Sequence, residues 1–248
     1  MTAPAPVILA AEEVSKSFGS LKAVDRASME VHRGEVFGLA GPNGAGKSTL
    51  FNLLTGIPIR PDSGTVRFGG EEIQHRSPRW IAKAGLKRTF QTEAVFESLS
   101  VRENVRVGSA YGSPGRPARW NATACRTALD AVELGGDLDR PAAGLSLIDR
   151  KRLMIACALV SEPTVLLLDE PAAGLDPGDQ EALIRLLSRI RGAGVTMVII
   201  EHVLSVLEAL ADRMAVLDSG QVIVTGEPAE VLNDPRVVEA YLGPGAAR

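Results

Sequence analysis

One stretch, Gly41-Pro42-Asn43-Gly44-Ala45-Gly46-Lys47-Ser48-Thr49, leaves this chain little choice of local architecture. The apolar run Val36-Phe37-Gly38-Leu39-Ala40 leads into it and reads as a buried strand, while Thr49-Leu50-Phe51-Asn52-Leu53-Leu54 leads out as a helix. Between them the glycines let the backbone curl so that successive N–H groups point inward. The helix that follows offers its positive amino end to the same point. Such a turn suits phosphate oxygens, and its side chains narrow the choice. Lys47 has the reach for a β- and γ-phosphate, Ser48 carries a hydroxyl for magnesium, and Asn43, Gly44, Ala45, Gly46 and Thr49 complete the cradle. The pattern predicts a nucleoside triphosphate site.

Around that turn the chain reads as alternating strands and helices. Val7 to Val14, Ala27 to Val31, Glu35 to Ala40 and Thr65 to Phe68 have strand character, the last bracketed by Ser63-Gly64 and Gly69-Gly70 turns. From about Leu99 to Ser161 the pattern turns helical, broken by an irregular segment over 112–119. Val165-Leu166-Leu167-Leu168 and Val195 to Ile200 are continuous apolar runs, as expected for strands covered on both faces. Between those two, Leu183, Leu186, Leu187 and Ile190 recur at helical spacing until Gly192 and Gly194. Short strands flank the Asp218-Ser219-Gly220-Gln221 turn, and small helices follow. The expected architecture is a mostly parallel α/β core with a helical insertion.

Two of these strands end in chemistry. Asp169-Glu170 follows Val165–Leu168, so both carboxylates emerge at a strand's carboxyl end, where open α/β sheets bind ligands. Asp169 suits magnesium, a hard cation that takes oxygen ligands beside phosphates. Glu170 suits the orientation or deprotonation of an attacking water. His202 stands just past the second strand, placed either as a structural residue or as a contact to a γ-phosphate and the Glu170 water. Gln91, after Leu86-Lys87-Arg88-Thr89-Phe90, is a neutral group that can touch magnesium or that water. Phe18 reads either as a platform for an adenine ring or as a core residue. His32, His75, Trp80 and Trp120 attract no functional reading.

Charge and cysteine usage bound the partners. With 248 residues, a net charge of −3 and a pI of about 5.7, the chain has no electrostatic case for a nucleic-acid partner. Cys125 and Cys157 lack C-x-x-C spacing and sit in apolar helical context, which predicts buried thiols in a reducing compartment. No run approaches the ~20 apolar residues that cross a bilayer. Met1-Thr2-Ala3-Pro4-Ala5-Pro6 shows no signal-peptide pattern. A cytoplasmic location is expected, compatible with docking on a membrane partner.

The order and spacing of the phosphate loop, Gln91, Asp169-Glu170, Gly174-Leu175-Asp176 and His202 resemble the ATP-binding-cassette (ABC) ATPases over nearly the whole chain. Lys87-Arg88-Thr89-Phe90-Gln91, Glu170-Pro171-Ala172-Ala173-Gly174-Leu175 and Ala240-Tyr241-Leu242-Gly243 look like the ATPases of branched-chain amino-acid uptake systems. The resemblance implies a single ABC ATPase domain of α/β P-loop NTPase fold with an N-terminal antiparallel β portion, its nucleotide-binding core over 1–92 and 163–248 and its inserted α-helical subdomain over 93–162. It implies ATP and Mg²⁺ as ligands, adenine stacking on Phe18, a switch role for His202 and coupling of nucleotide to transporter by Gln91. Ser146 and Asp176 are expected to contact nucleotide held by a second ATPase subunit, identical or not. Further implied partners are membrane permease subunits and, indirectly, an extracytoplasmic solute-binding protein, with the ATPase peripheral on the inner face of the membrane. An ATPase for export of a lipid-like cargo and a soluble non-transport ABC ATPase are the alternatives.

One motif departs from the family pattern. Where the family carries Leu-Ser-Gly-Gly-Gln, this chain has Leu145-Ser146-Leu147-Ile148-Asp149, followed by an expected helix over Asp149–Val160. Leu147 and Ile148 bring side chains where glycines are expected, and Asp149 brings negative charge near phosphate. Either those side chains point away and the helix N-terminus still serves, or one composite site is weakened. Arg150-Lys151-Arg152 reads as an offset to Asp149 or as a solvated helix face.

Overall fold

The structure, a computed structural model, describes residues 5–90, 94–111, 121–136 and 138–243. Gln91, Trp120 and the irregular segment over 112–119 lie outside the described residues. Two sheets pack against each other. An antiparallel sheet pairs β1 (Val7–Phe18), β2 (Leu21–His32), β4 (Ser63–Phe68) and β5 (Glu71–Glu72) in the order β2-β1-β4-β5. The second sheet runs β10-β9-β3-β8-β7-β6, from β3 (Val36–Ala40), β6 (Leu86–Arg88), β7 (Val165–Asp169), β8 (Thr196–Ile200), β9 (Arg213–Asp218) and β10 (Gln221–Gly226). It is parallel except where β10 closes its edge antiparallel to β9.

Alternation of side chains splits the core in two. Phe37, Leu39, Val165, Leu167, Val198 and Ile200 face the antiparallel sheet and α1 (Lys47–Thr55), together with Leu50, Phe51, Leu53 and Leu54. Val36, Leu166, Leu168, Met197 and Ile199 face the other way. There they meet α6 (Pro177–Gly192), α7 (Leu204–Leu210) and the inserted helices. Both faces of β3, β7 and β8 are buried, which is why those strands read as unbroken apolar runs. Each wholly buried Leu, Ile or Phe here contributes about 1.5–3 kcal/mol relative to exposure.

The inserted helices are α3 (Val101–Gly108), α4 (Ala122–Ala131) and α5 (Leu147–Leu159), following α2 (Pro78–Ala84). Ser100 and Glu103 form a reciprocal cap at the start of α3. Buried Asn104 accepts the Phe96 N–H at 2.8 Å and donates to the Phe96 and Ser100 carbonyls at 3.0 Å, fixing the segment that enters α3. Cys125 is buried and Cys157 half-buried, and burial pushes the Cys157 thiol up to about 12. Two short helices, α8 (Pro228–Leu232) and α9 (Pro235–Leu242), pack at the β9–β10 edge.

The structure departs from the sequence reading in several places. β1 continues to Phe18 and β2 begins at Leu21, well beyond the expected limits. Register shifts, with Glu13 and Arg26 at φ 49° and 50°, break the apolar alternation that marks a strand. β6, three residues on the sheet edge, and α2 were not expected. α5 begins at Leu147, two residues before the expected start, because Ser146 caps it.

Candidate active site

α1 begins at Lys47, directly behind a glycine that no other residue replaces. Gly46 caps the helix at φ 101°, and a Cβ there would lie 2.2 Å from the Ala23 carbonyl oxygen. With no side chain in the way, the first-turn N–H groups of α1 open toward the loop. Buried Lys47 folds back and donates to the carbonyls of Gly41 at 2.6 Å and Pro42 at 2.9 Å. Desolvation lowers its pKa, while Glu170 and Asp169 act in the opposite direction. Those carboxylates therefore stand within electrostatic reach of the loop.

A cleft of about 550 Å³ opens over this loop, lined by Asn43 through Thr49, by Phe18 on one side and by Glu170 on the other. Phe18 is exposed, 5.8 Å from the Lys16 ammonium, so its ring is a surface feature and the core reading of this residue is excluded. A larger cavity of about 1070 Å³ lies at the amino ends of the strands, beside Arg33, Thr164 and Val195. In open α/β sheets ligands bind beyond the carboxyl ends of the strands, the end at which the phosphate-loop cleft and Glu170 lie.

At the end of β7, Asp169 is almost wholly buried against Arg88 of β6. The Arg88 guanidinium donates to Asp169 Oδ2 at 2.6 Å and to Asn52 Oδ1 of α1 at 2.6 Å, between the rings of Phe51 and Phe90. Asp169 Oδ1 is buried with no hydrogen-bond partner among the described residues. An orphaned carboxylate oxygen beside a phosphate cradle fits magnesium, which takes one or two carboxylates together with phosphate oxygens. Among the described residues no group of three His, Cys, Asp or Glu side chains could hold a metal alone. Next to Asp169, Glu170 adopts φ 47° and gives its N–H to the Ile200 carbonyl at 3.0 Å, turning its side chain out of the strand line.

β8 delivers the imidazole from the neighbouring strand. His202 Nδ1 stands 3.8 Å from Glu170 Oε2 and 3.9 Å from Glu201 Oε2, with half the imidazole exposed. Glu201 is wholly buried and accepts the N–H groups of Ala172 at 2.6 Å and His202 at 3.2 Å. Burial raises its pKa, and those amides oppose the shift. One carboxylate thus staples the loop after Glu170 to the loop of His202.

Ser146 and Asp176 both cap helices beyond the cleft. Ser146 Oγ accepts the Asp149 N–H at 3.3 Å, and Asp176 Oδ1 accepts the Asp179 N–H at 2.9 Å. The side chains of the variant motif are accounted for locally. Ile148 is buried in the core, and Leu147 lies against Gly174. Asp149 is paired with Arg152 at 3.5 Å and Arg140 at 3.8 Å. Lys151 is buried, reaching the Glu170 carbonyl at 3.5 Å, so the basic run is not a solvated face.

Sequence reasoning missed Arg88 and Glu201 as site residues. The usable signal was a charged side chain at the end of a short strand beside each named residue. It also missed Tyr241, whose hydroxyl accepts the Gly41 N–H at 2.8 Å from the far end of the chain.

Known proteins resemble this chain in sequence and in fold. The family model described as ABC transporter matches residues 24–173. The model described as branched-chain amino acid ATP-binding cassette transporter matches 221–244. The high-affinity branched-chain amino acid transport ATP-binding protein LivG of Salmonella typhimurium is 35% identical over 95% of this chain and 98% of its own. BraF of Pseudomonas aeruginosa, bearing the same description, is 34% identical over 95% of this chain. Among solved structures, the ADP conformation of MJ1267, an ATP-binding cassette of an ABC transporter, superposes with a TM-score of 0.87 at 33% identity, covering 96% of this chain and 99% of that one. The chain belongs to the ABC transporter family, as one of its ATP-hydrolysing subunits.

Proposed function

We propose that this chain binds and hydrolyses ATP–Mg²⁺ to drive an importer of branched-chain amino acids or similar small solutes. The observation that carries the chemistry is the cleft in which Glu170 faces a helix-capped phosphate loop. The import reading rests on similarity to LivG and BraF. In this reading Phe18 stacks the adenine, residues 43–49 hold the phosphates, and Lys47 leaves the loop carbonyls for the β- and γ-oxygens. Ser48, Gln91 and the orphaned oxygen of Asp169 would hold magnesium, which would supply charge neutralisation at the phosphates. Glu170 accepts the proton of the water that attacks the γ-phosphate in line, and His202 orients that pair.

Ser146 and Asp176 meet nucleotide held by a second ATPase subunit, the amino end of α5 facing its phosphate. With Leu147 and Ile148 turned away and Asp149 neutralised by arginines, backbone N–H groups remain to serve there. No helix of the described residues is long and apolar enough to cross a membrane. As a subunit of the ABC transporter family, the chain works against membrane permease subunits. The groove beside Thr55, Ile81 and exposed Phe90, where Gln91 follows, is the surface that reads the permease. An extracytoplasmic binding protein would deliver the solute.

Steady-state ATP turnover of the purified chain, alone and with reconstituted permease, tests the reading. Turnover that rises with permease and disappears in Glu170→Gln is the expected result. Tight ATP binding without turnover in either setting would overturn the motor role.

A further inference from the structure

Gly41 is held from both sides. Its carbonyl accepts the Lys47 ammonium at 2.6 Å, and its buried N–H donates to the Tyr241 hydroxyl at 2.8 Å, across 200 residues of sequence. The position has no slack, since φ is 147° and a Cβ would fall 2.1 Å from the Leu217 carbonyl oxygen. Tyr241 belongs to α9, which packs on β10 and α8 and anchors itself in the core through buried Val237. The residue that places the loop's first glycine is thus mounted on a terminal helix outside the cleft.

We infer that Tyr241 is a positioning residue for the phosphate loop, and that docking of α9 and occupancy of the nucleotide site are coupled through the Gly41 N–H. The inference rests on the nucleotide-binding reading of the cleft and extends it to the C-terminal helix. The physical reason lies in the nucleotide-free state. Without the hydroxyl, the Gly41 N–H is a buried donor with no partner, and the loop relieves this by populating arrangements that turn the group to water. Those arrangements no longer present the cradle, so apparent affinity falls by the fraction of loops displaced. Once nucleotide binds, Lys47 is drawn to phosphate and ceases to hold the Gly41 carbonyl, which leaves Tyr241 as the remaining tether at that residue. Coupling of this kind is reciprocal, so nucleotide must also stabilise α9.

Tyr241→Phe removes the hydroxyl and keeps the ring in its packing, so loss of fold is not the expected outcome. The affinity for a non-hydrolysable ATP analogue with Mg²⁺, measured by titration calorimetry, should fall about five- to tenfold, the scale of one satisfied buried donor. Amide exchange gives a readout that simple packing would not move. In the wild-type chain the analogue should slow exchange across 235–243, and in Tyr241→Phe that protection should disappear while exchange at Gly41 rises. Equal affinity in the two chains overturns the inference. So does exchange over α9 that ignores nucleotide in the wild-type chain, a result that needs no variant. A wild-type chain that binds no analogue sinks the nucleotide reading as well, which separates the two failures.

Discussion

His202 Nδ1 lies 3.8 Å from the Glu170 carboxylate and 3.9 Å from that of Glu201, one nearly equidistant imidazole between a carboxylate that lines the cleft and one sealed beneath it. Neither separation is a hydrogen bond, so the imidazole is near enough to orient Glu170 yet not locked to it. Glu170→Gln keeps the shape and loses the proposed general base. ATP turnover should fall by about a hundredfold or more, the usual contribution of a positioned general base, while analogue binding stays within about twofold. Phosphate release and calorimetric titration on the same preparation check both halves. Equal turnover in the two chains would remove Glu170 from the chemistry.

Arg88 and Asp169 form an ion pair whose side chains are only 7% and 3% exposed. Removing one partner strands the other charge in the core, so Arg88→Met should lower stability by about 3–5 kcal/mol in denaturant unfolding. The double variant Arg88→Met/Asp169→Asn should recover part of that loss, because the uncompensated charge is gone. A double variant no more stable than Arg88→Met would assign the loss to the contacts of Arg88 with Asn52, Phe51 and Phe90 instead.

What the sequence disclosed and what it hid follow from distance along the chain. The phosphate loop, the buried strands and the carboxylates at the end of β7 were legible because strand, turn and helix signals are local. β1 and β2 were read too short because Lys16, Ser17, Lys22 and Asp25 interrupt the apolar pattern and look like loop. Their sheet is covered on one face only, where polar residues are no contradiction. Arg88 meets Asp169 across 81 residues and Gly41 meets Tyr241 across 200, pairings that no window of sequence contains. Nothing local marks Glu201, and only the tertiary fold gives it the Ala172 amide to hold.

That buried carboxylate sets a pH dependence with a definite sign. Burial raises the Glu201 pKa above its ordinary 4.5, and the amides of Ala172, Val203 and His202 only oppose that shift. Above about 4.5 the unfolded chain has released this proton while the folded chain still holds it. The folded state then binds more protons, and stability falls as pH rises until the folded group has also ionised. The group's contribution is thus full below 4.5 and lost through the raised value. Glu201→Gln cannot titrate, so its melting temperature plotted against pH should lack this downward component. Parallel wild-type and variant curves from pH 4 upward would place Glu201 at an unshifted pKa.

Ile148 stands where the family pattern has glycine, yet its side chain is 8% exposed and belongs to the core beside α5. Restoring glycine would therefore remove packing rather than clear a path to phosphate. Deleting a buried aliphatic side chain costs about 2–5 kcal/mol, and glycine inside a helix adds about 1 kcal/mol. Ile148→Gly should lower the thermal midpoint by several degrees and should not raise ATP turnover. Ser146→Ala offers the contrasting case. It removes only the cap of α5, about 1 kcal/mol of stability, but takes away the side chain proposed to meet the partner-held nucleotide. Turnover in Ser146→Ala should fall by more than its stability loss explains, seen as a lower kcat at temperatures where both chains are folded. If Ile148→Gly instead accelerates turnover without destabilising the fold, its side chain obstructs the composite site, and α5 meets the partner through the Leu147–Ile148 face.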